Sequence, residues 1–255
     1  MNPLTTHELD MPLTGIGTYQ LRGSTCASTV RTALELGYRH IDTAQMYGNE
    51  AEVGQAIVAS GVPRADIFVT TKVWTSDFRA ADFISATERS LAALKTGYVD
   101  LLLLHWPQHA VPLEETLGAL QQVLARGWAR RGGVSNFSIA QMERALAIAG
   151  TAVSCNQVAC HVGAAPAPLI AAARTRGVAI TAYSPLAQGA LRRDRLLTEL
   201  GARYGMTAAQ VALRWLTQQG IAVIPKASSR ARLAENLAAQ QFTLGDADIN
   251  RLGRL

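Results

Sequence analysis

The sequence predicts an α/β fold in which eight strands close into a (β/α)8 TIM barrel. Eight short apolar segments alternate along the chain with amphipathic segments of helical period, and this alternation is typical of parallel strands joined by helical crossovers. The length of 255 residues is close to the ~250 residues that such a barrel needs. No linker rich in proline, glycine or serine interrupts the pattern, so we expect a single barrel domain over residues 1–255.

The predicted strands are apolar runs with little polar alternation, as expected for strands that are buried on both faces. The run at residues 99–104 is the clearest, because Asp100 is its only polar residue. The eight predicted strands are residues 15–20, 38–44, 67–73, 99–106, 131–137, 153–160, 178–185 and 222–227. Ahead of the first strand, residues 4–13 are predicted to form a short hairpin that closes the bottom of the barrel.

The predicted helices have apolar residues at every third or fourth position, as in the series Leu113, Leu117, Leu120 and Leu124. They are residues 24–36, 50–60, 80–94, 113–126, 139–149, 168–176, 193–204, 208–218 and 230–239, with a last helix near 247–252. Ser24, Ser138 and Thr207 lie at predicted helix starts, so we expect their side chains to act as N-caps.

Composition excludes several classes of protein. The net charge is +5, but the basic residues are spread along the chain, which argues against nucleic-acid binding. No stretch is long and apolar enough to span a membrane, and the first residues do not resemble a secretory signal. The three cysteines form no CxxC pair, so neither a disulfide framework nor a zinc site is expected. We therefore expect a cytoplasmic protein, acting as a monomer on a small-molecule substrate.

Polar residues collect where the second, third and fourth predicted strands end. Asp42, Lys72 and His105 occupy these ends, and Tyr47 follows Asp42 in the next loop. Active sites of such barrels lie at the carboxyl ends of the strands, and neighbouring strands are about 4.8 Å apart, which places the three side chains within about 10 Å. Taken singly, each residue has a structural interpretation, such as a loop cap or a core histidine. Their convergence favours an active site.

The chemistry that suits these four residues is carbonyl reduction, in which the carbonyl oxygen needs a proton donor. A free tyrosine has a pKa of about 10, and we expect the Lys72 ammonium to lower the pKa of Tyr47. Asp42 would hold Lys72 charged and in place, and His105 would bind the carbonyl oxygen.

Seven segments of the chain resemble motifs of the aldo-keto reductases, in the same order. They are residues 15–18, 42–50, 104–107, 133–137, 156–158, 182–186 and 224–226. The resemblance is greatest to the bacterial branch with short loops that includes the 2,5-diketo-D-gluconate reductases. It implies that Asp42, Tyr47, Lys72 and His105 are the catalytic residues, with Tyr47 as the proton donor.

The same resemblance implies NADPH/NADP+ as the cofactor. Ser135, Asn136 and Gln157 would bind the nicotinamide carboxamide, and Tyr183 would stack on the ring. The other residues implied in cofactor binding are Gly17, Thr18, Asp42, Ser184, Leu186, Gln188 and Gly189, then Lys226, Ser228 and Arg232 at the 2′-phosphate, and Glu235 and Asn236 at the adenine. Taken alone, Lys226 and Arg232 could equally belong to a solvated basic surface. The chain contains no GxGxxG motif, so the sequence does not indicate a Rossmann fold. No metal site is expected either.

The substrate pocket is the part for which the resemblance is weakest. Trp74 and Trp106 are expected to form apolar walls beside Tyr47 and His105. Ala227 replaces a common hydroxyl residue, residues 159–162 depart from the family pattern, and the chain ends soon after its last predicted helix. We expect small aldehydes, 2-oxoaldehydes or keto sugars as substrates.

Two other functions are compatible with a barrel of this kind. One is a Schiff-base aldolase that uses Lys72 or Lys226, and the other is an NADPH-binding sensor without catalysis. The presence of all four catalytic residues argues against the sensor.

Overall fold

The computed structural model describes residue 6 and residues 9–255. Within them, eight strands form one sheet in chain order, and every neighbouring pair is parallel. The strands are β1 (Ile16–Gly17), β2 (His40–Asp42), β3 (Phe68–Val73), β4 (Val99–Leu104), β5 (Ala129–Ser135), β6 (Cys155–Ala159), β7 (Ala179–Tyr183) and β8 (Ala222–Val223). The predicted (β/α)8 barrel is confirmed.

The barrel closes between β8 and the residues around β1. Gly15 donates its backbone N–H to Val223 O at 2.8 Å, and Val223 donates to Leu13 O at 2.8 Å. Close approach at this seam depends on Gly17, since a Cβ atom there would lie 2.5 Å from Ile224 O. A glycine at this position therefore lets the first and last strands meet.

Ten α-helices occur in the described part of the chain. They are α1 (Gly23–Glu35), α2 (Glu50–Ser60), α3 (Ala80–Leu94), α4 (Leu113–Ala125), α5 (Ile139–Ala149), α6 (Ala167–Thr175), α7 (Arg195–Tyr204), α8 (Ala208–Thr217), α9 (Arg230–Ala238) and α10 (Asp246–Leu252). In that same part, no helix combines the length and the apolar character needed to cross a membrane.

The helix starts test the predicted N-caps. Ser138 and Thr207 each form a capping box, in which the residue three positions later, Gln141 or Gln210, returns a hydrogen bond. The prediction for Ser24 is wrong. Helix α1 begins one residue earlier, at Gly23, and its N-cap position is occupied by Arg22, which makes no side-chain cap.

The apolar core has two parts, one between the strands and the helices and a smaller one inside the barrel. The inner part contains Leu9, Met11, Leu13, Leu101, Leu103, Cys155, Ala179 and Ala222. The predicted hairpin at residues 4–13 lies partly outside the described residues. In the described part, Thr6 donates to Met11 O at 2.8 Å and Asp10 donates to Thr6 O at 3.2 Å, so the chain reverses between them.

Candidate active site

Alternation along the strands directs the polar side chains into the barrel. In β4, Leu102 and Leu104 belong to the outer core, whereas Leu101 and Leu103 belong to the inner core. His105 follows in the inward series, one layer nearer the carboxyl end of the barrel. The top of the barrel interior is therefore polar. Below it the interior is mainly apolar, although the fully buried His40 and Thr70 precede Asp42 and Lys72 by two positions and point the same way.

A buried ion pair links β2 and β3 at this polar end. The Lys72 Nζ atom lies 2.5 Å from Asp42 Oδ1, 2.9 Å from Thr43 O and 3.3 Å from the Tyr47 hydroxyl. Burial lowers the pKa of Lys72, but Asp42 and Tyr47 together raise the pKa above its usual value. Lys72 is therefore a protonated ammonium in contact with both a carboxylate and a phenol.

Tyr47 lies at the end of a short 3-10 turn, Gln45–Tyr47. Burial raises the pKa of its phenol, while the charge of Lys72 opposes this effect. The predicted net lowering of the Tyr47 pKa is wrong for the unliganded protein, because the desolvation effect is the larger one. Tyr47 consequently keeps its proton at neutral pH, and Lys72 is placed to stabilise the phenolate once the proton has left.

His105 lies between two aromatic rings. Its imidazole centroid is 5.6 Å from that of Tyr47 and 5.0 Å from that of Trp74, with interplanar angles of 74° and 87°. Burial, followed by the charge of Lys72, lowers the pKa of His105 to about 3. The ring is therefore neutral at physiological pH, and its buried Nδ1 atom has no hydrogen-bond partner among the described residues.

The residues predicted to bind the nicotinamide form a chain of hydrogen bonds beside this centre. Gln157 Nε2 donates to Asp42 Oδ2 at 2.7 Å, and Ser135 Oγ donates to Gln157 O at 2.9 Å. Asn136 Nδ2 donates to Ser135 Oγ at 3.0 Å, and Tyr183 OH donates to Asn136 Oδ1 at 2.8 Å. The structure thus brings all four next to the catalytic candidates.

The other residues predicted to bind the cofactor lie at the end of β1 and in the segment after β7. Thr18 follows β1 and donates both its N–H and its hydroxyl to Asp42 O, each at 3.0 Å, and Gly17 pairs with Asp42 in the sheet. Four others lie in the segment after β7, namely Ser184, Leu186, Gln188 and Gly189. In this segment, Ser184 and Gln188 adopt φ values of +50° and +54°.

The residues predicted at the 2′-phosphate and adenine lie beyond β8 and on α9. Lys226, Ser228 and Arg232 are exposed. Among the described residues, none of these three side chains forms an ion pair. Asn236 is only 1% exposed, and its Oδ1 atom has no partner in the described part of the chain. The Glu235 carboxylate accepts a hydrogen bond from Thr207 at 2.7 Å and pairs with Arg192 at 3.9 Å.

Two exposed residues beside Tyr47, one in space and one along the chain, were not singled out from the sequence. Tyr19 is 51% exposed, and its ring centroid lies 5.1 Å from that of Tyr47. Met46 is 45% exposed and precedes Tyr47, while the predicted Trp106 is 43% exposed. Their positions in the chain could have identified both residues, because Tyr19 follows the predicted cofactor-binding residue Thr18 and Met46 precedes the predicted proton donor.

The sequence is similar to those of known reductases. A sequence model described as the aldo/keto reductase family matches residues 14–255. Methylglyoxal reductase DkgB of Salmonella typhimurium is 40% identical over 250 residues, which cover 97% of this chain and 94% of that protein. Aldo-keto reductase family 1 member A1 of Pongo abelii is 34% identical over 279 residues, covering 96% and 86%.

Solved structures of reductases also superpose closely on this chain. A crystal structure provisionally assigned as a 2,5-diketo-D-gluconic acid reductase B superposes with a TM-score of 0.96 at 44% identity, covering 100% of this chain and 91% of that one. The aldose reductase of Schistosoma japonicum superposes with a TM-score of 0.93 at 31% identity, covering 100% and 92%.

Proposed function

Because the chain belongs to the aldo/keto reductase family and is an oxidoreductase acting on carbonyl groups, we propose that it reduces small aldehydes, 2-oxoaldehydes or keto sugars to alcohols with NADPH. Tyr47 is the proton donor in this proposal. The observation that carries it is the buried pair of Asp42 and Lys72 beside the half-buried Tyr47, in which the ammonium lies 2.5 Å from the carboxylate and 3.3 Å from the phenol.

Each catalytic side chain has a distinct task in this mechanism. A bound reduced nicotinamide supplies hydride to the carbonyl carbon. The neutral His105 ring orients the carbonyl oxygen by hydrogen bonding. Tyr47 gives its proton to that oxygen, and the Lys72 ammonium stabilises the resulting phenolate. Asp42 keeps Lys72 charged and fixed in position.

The residues beyond β8 fit a dinucleotide that carries a 2′-phosphate. Lys226 and Arg232 are exposed cations at the amino-terminal end of α9, where helix N–H groups and an arginine fork favour a phosphate. The buried Asn236 Oδ1 atom, without a partner among the described residues, is an acceptor that an adenine amino group could satisfy. Ser135, Asn136, Gln157 and Tyr183 would hold the nicotinamide end.

The proposed substrate class follows from the exposed apolar mouth and from the relatives. Tyr19 offers exposed aromatic surface against the proton donor, and the exposed Met46 and Trp106 directly adjoin Tyr47 and His105 in the chain. The relative DkgB is a methylglyoxal reductase. The aldolase alternative is disfavoured at Lys72, because a Schiff base requires a neutral amine and this amine is protonated within an ion pair. We further propose that the protein acts as a cytoplasmic monomer.

The test is NADPH oxidation, followed by absorbance, with methylglyoxal, 4-nitrobenzaldehyde, glyceraldehyde and a keto sugar. We expect turnover by the wild type and a loss of at least about 100-fold in kcat for Tyr47→Phe, with NADPH binding retained. Tyr98→Phe is the matched control, since that ring lies between Arg64 and Arg130 away from the site. Near-normal turnover by Tyr47→Phe would show that another group donates the proton.

A further inference from the structure

The side chain of Gln45 joins three elements behind the catalytic centre. Gln45 begins the 3-10 turn that carries Tyr47. Its Nε2 atom donates to Ala86 O at 2.9 Å and to Ser90 Oγ at 3.1 Å, both on α3. Its Oε1 atom accepts the backbone N–H of Trp74 at 3.1 Å, directly after β3. One amide thus connects the Tyr47 turn to α3 and to the end of β3.

Two backbone groups determine the orientation of this amide, because Ala86 O can only accept and Trp74 N–H can only donate. A buried carboxylate supports the same orientation through Ser90. Ser90 Oγ donates to Glu50 Oε2 at 3.2 Å, and Thr71 Oγ1 donates to Glu50 Oε1 at 2.5 Å. Because Ser90 gives its only hydrogen to Glu50, its oxygen is left to accept from Gln45. The amide nitrogen of Gln45 therefore faces α3, and its oxygen faces Trp74.

Two of the three elements that Gln45 joins carry one catalytic candidate each, and Trp74, directly after β3, contacts a third. Tyr47 is two residues after Gln45, and Lys72 is two residues before Trp74. The Trp74 ring packs against His105 at a centroid distance of 5.0 Å. The contact of Lys72 with the Tyr47 hydroxyl, at 3.3 Å, is its longest hydrogen bond. A shift of the turn relative to β3 would therefore weaken this contact first.

We propose that Gln45 is a positioning residue that sets the separation between the Tyr47 hydroxyl and the Lys72 ammonium, held by Ala86 and Ser90 on α3 and by the backbone N–H of Trp74. This inference rests on the proposed function, in which Tyr47 is the proton donor. Without the amide, the Trp74 N–H loses its acceptor, and Ala86 O and Ser90 Oγ lose a donor, so the turn is no longer tied to α3 and β3. A displacement of about 1 Å at a reacting group can cost about 100-fold in rate.

The test compares Gln45→Met with Gln218→Met. Gln218 is a matched control because it is also half-buried, and its amide also both donates and accepts, here with the backbone of Leu244 at 2.8 and 3.0 Å. For Gln45→Met we expect kcat to fall at least about 10-fold, the KM for NADPH to change less than about twofold, and the alkaline limb of the kcat profile to move to higher pH. The shift is to higher pH because a Lys72 ammonium farther from Tyr47 would oppose the raised pKa of the phenol less strongly.

A spectroscopic measurement separates this inference from the proposed function. The protein is labelled with 13C at tyrosine Cζ and its NMR spectrum is recorded. The Tyr47 resonance is assigned as the one that is missing from the spectrum of Tyr47→Phe. We expect this resonance to move in Gln45→Met and to stay in place in Gln218→Met, whether or not any carbonyl compound is turned over. If the wild type fails to reduce the panel, the proposed function fails, and this resonance still tests the positioning.

Two results would overturn the positioning role. One is a Tyr47 resonance and a kcat in Gln45→Met that match those of Gln218→Met. The other is a lower kcat with an unmoved pH profile and resonance, which would mean general destabilisation. If Gln45→Met does not fold, Ser90→Ala removes only one of the two acceptors that α3 offers to the amide. It should move the resonance in the same direction by a smaller amount, and an unmoved resonance counts against the proposal.

Discussion

The imidazole of His105 shows how the catalytic role proposed for one residue is linked to protein stability. Its ring lies among Tyr47, Trp74 and Lys72, and burial with the lysine charge lowers its pKa to about 3 from an ordinary 6.5. A neutral ring suits hydrogen bonding to a carbonyl, because it offers one N–H without a competing positive charge. The same shift has a thermodynamic consequence, since the unfolded chain binds a proton at a pH where the folded protein does not.

We predict that His105→Asn reduces the dependence of stability on acid pH. Between pH 6.5 and about 3 the unfolded His105 binds a proton and the folded one does not, so the wild type loses stability as the pH falls. The removed contribution is at most about 2.5 kcal/mol between pH 6.5 and about 4.5. Urea unfolding at both pH values measures it, with the exposed His109→Asn as control. Equal pH dependence in wild type and His105→Asn would contradict the lowered pKa.

The preference for NADPH over NADH is expected to depend on Lys226 and Arg232. The double substitution of Lys226→Ala and Arg232→Ala removes two exposed cations proposed to bind the 2′-phosphate. We expect NADPH affinity to fall by at least about 10-fold and NADH affinity to change little, as measured by fluorescence titration of both cofactors. Arg230→Ala is the control, because this exposed neighbour on α9 pairs with Glu35 at 3.0 Å. Equal losses for both cofactors would remove the phosphate assignment.

At the scale of elements, the sequence predicts where strands and helices lie better than where the strands end. Predicted strands at residues 15–20 and 222–227 correspond to ladders of two residues, Ile16–Gly17 and Ala222–Val223. Thr18 after the first ladder and Ile224 and Pro225 after the second are still buried, so burial continues past the hydrogen-bonded pairing. Tyr19, Gln20 and Lys226 are exposed, so burial also stops within the predicted strands. Helix bounds agree more closely, because the helical period and the capping residues give independent signals.

The helix caps give a prediction with an internal control. Ser138→Ala removes a hydroxyl that accepts the Gln141 N–H in a capping box, and we expect it to cost about 1 kcal/mol of unfolding free energy. Ser24→Ala changes a residue inside α1 that caps nothing, so we expect a change of less than about 0.5 kcal/mol. Urea unfolding measures both. A loss at Ser24 as large as that at Ser138 would contradict the assigned start of α1.

At the scale of the whole molecule, the barrel depends on a close contact at its seam. Gly17→Ala places a methyl group 2.5 Å from Ile224 O, and we expect it to destabilise the protein by about 1–3 kcal/mol. Gly118→Ala, in α4, meets nothing within 4 Å and should stabilise by about 0.5–1 kcal/mol. Thermal unfolding distinguishes the two signs. A stabilised Gly17→Ala would mean that β1 and β8 are not held as closely as the structure shows.

The arrangement of the whole site could be predicted only where strand order determines it. Asp42, Lys72 and His105 end three consecutive strands, so their proximity follows from topology. The role of Gln45 does not, because its partners Ala86 and Ser90 come from α3, whose rotation about its axis the sequence does not specify. The net pKa shift of Tyr47 also required the structure, since it depends on how far burial outweighs the nearby charge.

The hydrogen bond from Gln157 to Asp42 spans the barrel interior and joins residues 115 positions apart in the chain. Neither side chain can change without leaving the other with an unmet polar group in a buried place. Substitutions at the two positions are therefore expected to be non-additive in a double-mutant cycle. In evolutionary terms this is epistasis. A change at one of these positions is expected to persist only with a compensating change at the other. The two residues should therefore be inherited as a pair.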